Sequence, residues 1–517
     1  MFQMNGPIES VVVLGGGSAG FIAALTLKRE MPQLRVTALR SPDIGIIGVG
    51  EGTTPGVPLH LFGYLGVDLE EFYRVAQPTW KLGLKFLWGP RPYFNYTFTP
   101  QCDWKWERLA KPNGYYCAED FEFADPVSAL MSSDHVFVRQ KNGDPYIGSA
   151  WGFHIENEKF VGFLEAFAAR SGLAIVDDTV AEVVRSERGI ASLRLKSGAS
   201  LAADFYVDCS GFRSLLIGQT FKEPYLSYQP TLFCDRATVG GWDRADAPVL
   251  PYTTVETMDA GWCWQIEHES RVIRGYVHSS DFISEEQAEG ELRAKNPRIG
   301  PTRVIKFPSG RYRNAWVENA CAIGNASGFV EPLEATSLAV ICNESRLLAE
   351  MLSGCEARPT ASLQGLYNRL VGLVWDEIRE FLGIHYRFNT RLDTPFWRAC
   401  RSDVALSASL PFIEFFRENG PSARGAMLLP RAQTESAFGI EGYLTMLVGQ
   451  KLPYASSYQP SAAERDIWSK IQGEHKAVGA SGLGVREALS AIRKPDWKWN
   501  PQFYKDALKA HVARIGI

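Results

Sequence analysis

No two of the nine cysteines in this 517-residue chain form a C-x-x-C pair, and their number is odd. That argues against a disulfide framework or a thiolate zinc site and points to a reducing cytoplasm. An excess of positive charge is also lacking. A formal net charge of -4 gives no reason to expect nucleic acid or an anionic membrane as partner. No stretch approaches the ~18 consecutive apolar residues that a membrane helix needs. The apolar Val11-Val12-Val13-Leu14 lacks a basic leader and runs directly into glycines, so it reads as a buried strand and not a signal peptide. Internal repeats and low-complexity linkers are absent too.

What is present is an ordinary globular composition, 45% hydrophobic and 22% charged, with ample core. The length would allow two or three domains. Tryptophans cluster between Trp80 and Trp106, either as core or as a site for a flat aromatic. The first 60 residues read as strand, glycine turn, helix, strand from Leu34 to Leu39, then loop. Proline and aromatics between Trp88 and Pro100 suit an irregular loop. Residues 180–208 pattern as a β-meander ending in Phe205-Tyr206-Val207, and a second β-rich stretch runs from about Thr231 to His278. Beyond Glu334 the pattern is helical, with Leu363, Leu366, Leu370, Val374, Ile378 and Phe381 on one face of a long amphipathic helix.

Gly15-Gly16-Gly17-Ser18-Ala19-Gly20 fits G-x-G-x-x-G between a strand and a helix. Its glycines allow a tight turn and bring a pyrophosphate close to the helix N-terminus. About 20 residues on, an Asp or Glu usually meets the ribose. Arg40 stands there instead, a cation that would suit a 2′-phosphate. Two further motifs favour FAD over NADP. No second turn of this kind occurs, so a separate NAD(P)H site is not expected and reduced flavin would come from another protein.

Gly48-Val49-Gly50-Glu51-Gly52-Thr53, Val207-Asp208-Cys209-Ser210-Gly211-Phe212-Arg213 and Ile323-Gly324-Asn325-Ala326-Ser327-Gly328-Phe329 follow in order. With Thr79-Trp80-Lys81-Leu82-Gly83-Leu84-Lys85-Phe86 and Glu331-Pro332-Leu333-Glu334-Ala335-Thr336-Ser337, they resemble the flavin-dependent halogenases of the tryptophan-halogenase family. The resemblance runs from about residue 8 to about residue 400. It implies a mixed α/β fold: a doubly wound, Rossmann-like FAD domain of the aromatic-hydroxylase and halogenase type, with an inserted β-rich substrate module and a helical C-terminal part. The FAD body would span 1–355, with flavin segments 10–55, 175–218 and 305–340 and substrate insertions 60–150 and 225–300; residues 356–517 would form the substrate side. Flavin contacts are implied at the glycine turn, Arg40, Ser41, Ile44, Val49, Glu51, Gly52, Val180, Asp208 and Asn325. Residues 48–53 correspond to a mobile strap over the flavin.

In the family, a halide attacks a flavin hydroperoxide, and the hypohalous acid formed is guided to a lysine. Lys81 matches that lysine, while Lys85 would share its face if the segment were one strand. Glu334 matches a carboxylate that orients the oxidant or takes the arenium proton. Its plainer alternative is a first-turn glutamate offsetting a helix dipole, a role also open to Glu331. Thr336 and Ser337 match the halide-binding pair, which more often reads Thr-Gly. Trp262 and Trp264 match a wall that shields the flavin, but Glu267 replaces the family's proline and would leave a flexible, acidic loop that admits water. The expected reaction is FADH2- and O2-dependent chlorination or bromination of an electron-rich aromatic such as an indole, with a separate flavin reductase as partner. A flavin-dependent aromatic hydroxylase and a non-catalytic flavin-binding protein are the alternatives. A homodimer is one arrangement the sequence allows.

Overall fold

The computed structural model describes residues 6–45, 48–101, 115–118, 122–431, 436–456 and 458–515. Trp104 and Trp106 lie outside the described residues. A six-stranded sheet contains the strand that leads into the glycine turn. Its order is Ala174–Asp177, Arg35–Arg40, Ser10–Leu14, Phe205–Asp208, Ala320–Ala322, Trp316–Val317. The first five strands are parallel and the last is antiparallel. Ser10–Leu14 sits inside this sheet, which explains its unbroken apolar run: both faces are covered. The helix Ser18–Glu30 covers one face and packs on the helix Ser337–Gly354, so the glycine turn and the segment 331–337 lead into two helices in contact.

A second sheet has seven strands, in the order Arg303–Lys306, Arg236–Asp243, Arg271–His278, Gly261–Glu267, Thr253–Met258, Gly83–Leu87, Phe94–Thr97. A small sheet joins Glu51–Gly52 and Thr79–Lys81 through Gly152–Ile155. The strap and the lysine segment are thereby tied to one strand.

Three expectations need correction. The meander is Val180–Ser186, Gly189–Leu195 and Ser200–Leu201; Phe205–Asp208 leaves it and joins the main parallel sheet. The segment after Trp88 is not wholly irregular, since Phe94–Thr97 pairs with Gly83–Leu87. Lys81 and Lys85 do not share one strand: Leu82 ends the first, and Gly83–Leu87 belongs to the other sheet. The long helix is Ala361–Arg387, capped by the Thr360 hydroxyl. Its face is buried from Tyr367 onward, whereas Leu366 remains exposed. Further helices follow to the C-terminus.

Candidate functional site

Close packing dictates the glycine turn. A Cβ on Gly15 would stand 2.4 Å from the Cys209 carbonyl, one on Gly16 would stand 2.3 Å from Arg40 Cγ, and one on Gly20 would stand 1.9 Å from the Gly15 carbonyl. Gly17 faces open space. It is also the N-cap of Ser18–Glu30, with no side-chain cap and no acidic residue in the first turn. Uncapped amides at an open helix N-terminus fit a pyrophosphate. Arg40 is not a free cation: Asp177 at 2.6 Å and Glu165 at 2.5 Å hold its guanidinium and raise its pKa. Its charge is therefore already met within the chain. Ser41 and Thr179 share a 2.7 Å hydrogen bond beside Val180, and Ile44 is exposed nearby in sequence. Asp208 is buried and turned on its own loop, accepting from Ser210 Oγ at 2.6 Å and the Leu216 amide at 2.7 Å.

Two cavities lie on either side of the segment 331–337. A cavity of about 140 Å³ is lined by Val49, Glu51, Gly52, Lys81, Trp264, Asn325 and Ser337, among others. A larger one, about 600 Å³, is lined by Thr54, Tyr96, Phe98, Glu334, Thr336 and the helix faces behind them. The strap lines the smaller cavity with residues 49–52, and the residues that follow it, 54–56, line the larger. Thr336 caps Ser337–Gly354 without a side-chain hydrogen bond, and no acid stands in that helix's first turn. Those amides are available to an anion. Ser337 is an ordinary helical residue, so the serine that replaces the usual glycine strains nothing. The strained residue is Ala335, whose φ of 54° is left-handed.

Lys81 is completely buried, and its Nζ has no hydrogen-bond partner among the described residues. It lies over the Phe98 ring at 5.4 Å, and a Cβ on Gly52 would come within 3.3 Å of it. Burial pushes its pKa down to about 7, opposed by the charge of Glu334. Lys85 is placed differently: it donates to Tyr252 Oη at 2.9 Å, and Tyr252 in turn donates to Asp134 at 2.5 Å. Glu334 is buried and bonds to His385 Nε2 at 2.6 Å. It contacts a histidine and not the amides of the following helix. Glu331 does not serve that helix either. It is buried, accepts from Trp262 Nε1 at 3.1 Å and from Tyr386 Oη, and burial pushes its pKa up to about 7.

A glycine-turn cradle, an uncapped second helix and a lone buried amine lie in one body. The tryptophan halogenase family model matches residues 10–466. The tryptophan 6-halogenase ThaL of Streptomyces albogriseolus is 33% identical over 456 residues, covering 81% of this chain and 83% of that protein. The chain belongs to the tryptophan halogenase family. The tryptophan 7-halogenase RebH of Lentzea aerocolonigenes is 31% identical, covering 82% of this chain and 86% of its own. Among solved structures, MibH, a lanthipeptide tryptophan 5-halogenase, superposes with a TM-score of 0.85 at 34% identity, over 98% of this chain and 96% of its own. The chain is accordingly an enzyme of the flavin-dependent halogenases, a class that uses FAD, a halide and a separate flavin reductase. Among the described residues no helix is long and apolar enough to cross a membrane.

The two tryptophans expected to form a wall stand side by side. Trp262 and Trp264 are buried with ring centroids 5.9 Å apart, and Trp264 and Ile266 face the smaller cavity. Gly275 makes room for Trp264, since a Cβ there would stand 1.9 Å from its ring. Glu267 departs from the expectation drawn for it. It is no flexible acidic loop but the last residue of Gly261–Glu267, paired with Val272 and buried in an ion pair with Arg244. Alternation along the strand puts it on the face opposite Trp264 and Ile266, so it does not open the wall. Arg244 also donates to the His268 carbonyl at 2.8 Å, and Gln265 donates to Glu267 at 2.6 Å.

His385 is the functional neighbour that sequence reasoning missed. A single histidine on the buried face of an amphipathic helix reads as core, and only the fold brings it to Glu334, 51 positions away. Arg244 was missed for the same reason: its partner Glu267 is 23 positions away and across a strand turn.

Proposed function

We propose that this chain halogenates an electron-rich aromatic substrate, an indole, using FADH2, O2 and chloride or bromide. The observation that carries this reading is Lys81, a buried amine without a hydrogen-bond partner on the cavity shared with Trp264 and Ser337. Simple flavin binding needs no such group, and its burial works against the fold. The named substrates of the relatives are tryptophans, which supports an indole.

The glycine turn and the segments around Asn325 and Val180 would hold FAD, which when reduced and supplied with O2 and halide provides hypohalous acid. The Thr336 and Ser337 amides hold the halide. Trp262 and Trp264, braced by Glu331 and Gly275, keep the aromatic ring away from the flavin and exclude water. Lys81 as ammonium donates a hydrogen bond to the hypohalous oxygen and directs the halogen to the ring; deprotonated, it would trap the halogen as a haloamine. Glu334 then accepts the proton that leaves the halogenated carbon, as the bonding pair returns to the ring. Residues 1–355 act as the FAD body and 356–517 as the substrate side. The flavin is delivered by a separate reductase in the cytoplasm.

The test is mass spectrometry of an indole and phenol panel incubated with the protein, FAD, a reductase, NADH and bromide or chloride. A halide-dependent mass gain on an indole is expected. Oxygen insertion with or without halide would instead make the chain a hydroxylase.

A further inference from the structure

The carboxylate of Glu334 faces a histidine whose tautomer is fixed from behind. His385 Nδ1 lies 2.8 Å from the Phe381 carbonyl, an atom that can only accept. Nδ1 therefore carries a proton and donates it. In a neutral ring this leaves Nε2 as a bare lone pair, yet Nε2 stands 2.6 Å from Glu334 Oε1. Two lone pairs do not approach to that distance inside a protein unless a proton lies between them.

Both residues are enclosed by the protein. His385 is fully buried and Glu334 is 3% exposed. The histidine is packed by Phe86, Trp88 and Phe381 rings, with Trp88 Nε1 donating to its carbonyl at 2.9 Å. The charged and titratable neighbours are few. Lys81 and Tyr96 interact electrostatically with Glu334, and Glu331 accepts from the hydroxyl of Tyr386, the residue after His385.

We infer that His385 is the positioning residue of Glu334, and that the pair holds one proton between Nε2 and Oε1. This rests on the proposed role of Glu334 as proton acceptor. With Oε1 engaged by His385, the carboxyl group is fixed in rotation and its second oxygen is the one that can meet the substrate. When the C–H bond of the halogenated carbon breaks, its electrons return to the ring and the proton goes to that second oxygen. The Nε2–Oε1 proton stays in place and holds the group still. The proton then leaves to solvent through the larger cavity, which Glu334 lines. No oxidant or further reactant is involved.

Two measurements test this, one of them independent of halogenation. The first is 15N NMR of the histidine-labelled protein, with His385 assigned by its loss in His385→Gln. We expect no bare, pyridine-type Nε2 signal for His385 at pH 8, and a changed Nε2 signal in Glu334→Gln, where an amide N–H replaces the shared proton. A bare Nε2 in the wild type, or a signal indifferent to Glu334→Gln, overturns the inference whatever the enzyme's reaction proves to be. The second is turnover. His385→Gln should lower kcat for halogenated product by about 10-fold or more, less than the ~10²–10⁴ of losing a general base, with KM for the aromatic unchanged. The double variant His385→Gln, Glu334→Gln should be no slower than Glu334→Gln alone. Additive losses would show that His385 acts apart from Glu334. If His385→Gln fails to fold, His385→Asn carries the NMR assignment. A wild type that halogenates nothing but lacks the bare Nε2 would sink the proposed function and leave the shared proton standing.

Discussion

Replacing Lys81 by methionine should make the protein more stable while it loses its product. The amine is buried without a hydrogen-bond partner, and burial pushes its pKa from an ordinary 10.5 down to about 7. At 1.36 kcal/mol per pH unit, that displacement corresponds to about 5 kcal/mol charged against the folded ammonium form. This is an upper bound, because the amine borders a cavity that water can enter. Methionine keeps the length of the stem without the charge, so we expect a gain of roughly 1–3 kcal/mol at pH 7. The sign with pH follows from the direction of the shift. The unfolded chain binds this proton more tightly than the folded one, so the cost is full below pH 7 and fades as pH rises towards 10.5. The gain from Lys81→Met should therefore shrink on going from pH 7 to pH 10. Paired urea unfolding of both proteins at the two pH values reads this directly, with thermal inactivation rates as a check should unfolding prove irreversible. A methionine variant less stable than wild type at pH 7, or a gain that does not change with pH, would refute the argument that the amine is held at a cost.

Other expectations follow from single contacts. Glu267→Pro strands Arg244 as a buried cation and should cost about 3–5 kcal/mol, read as a lower urea midpoint; an unchanged midpoint would mean that the ion pair contributes nothing. Glu334→Gln should keep FAD binding, measured by flavin fluorescence quenching, and lower product formation by ~10²–10⁴-fold. Loss of FAD in that variant would make the residue structural. The purified chain without a reductase should not consume NADH or NADPH, followed by the near-ultraviolet absorbance that only the reduced nicotinamide has; rapid consumption would reveal a nicotinamide site that the sequence did not disclose.

Much of this was legible before the fold was known, because close approaches in the glycine turn restrict the residue type at fixed positions. The glycines at 15, 16 and 20 are demanded by contacts of 2.4, 2.3 and 1.9 Å, and such demands leave a fixed spacing in the sequence. The apolar run at Val11 to Leu14 and the period of Ala361–Arg387 likewise record burial that each element meets by itself. Long-range pairing leaves no such mark. Thr79–Lys81 and Gly83–Leu87 look like one strand until each is seen to join a different sheet, which separates Lys81 from Lys85. Glu267 looked like a lost proline because its compensation, Arg244, comes from another strand end. His385 carried no signal at all, since its meaning depends on Phe381 behind it and Glu334 in front.

The central claim is that one buried lysine turns flavin oxidation into halogenation. It is tested most directly by measuring halogenated indole and hydrogen peroxide together, with FAD, a reductase and bromide, for wild type, Lys81→Ala and Lys85→Ala. The account predicts halogenated product from wild type and from Lys85→Ala, and peroxide without product from Lys81→Ala. Substantial halogenation by Lys81→Ala, or its loss in Lys85→Ala alone, would contradict it.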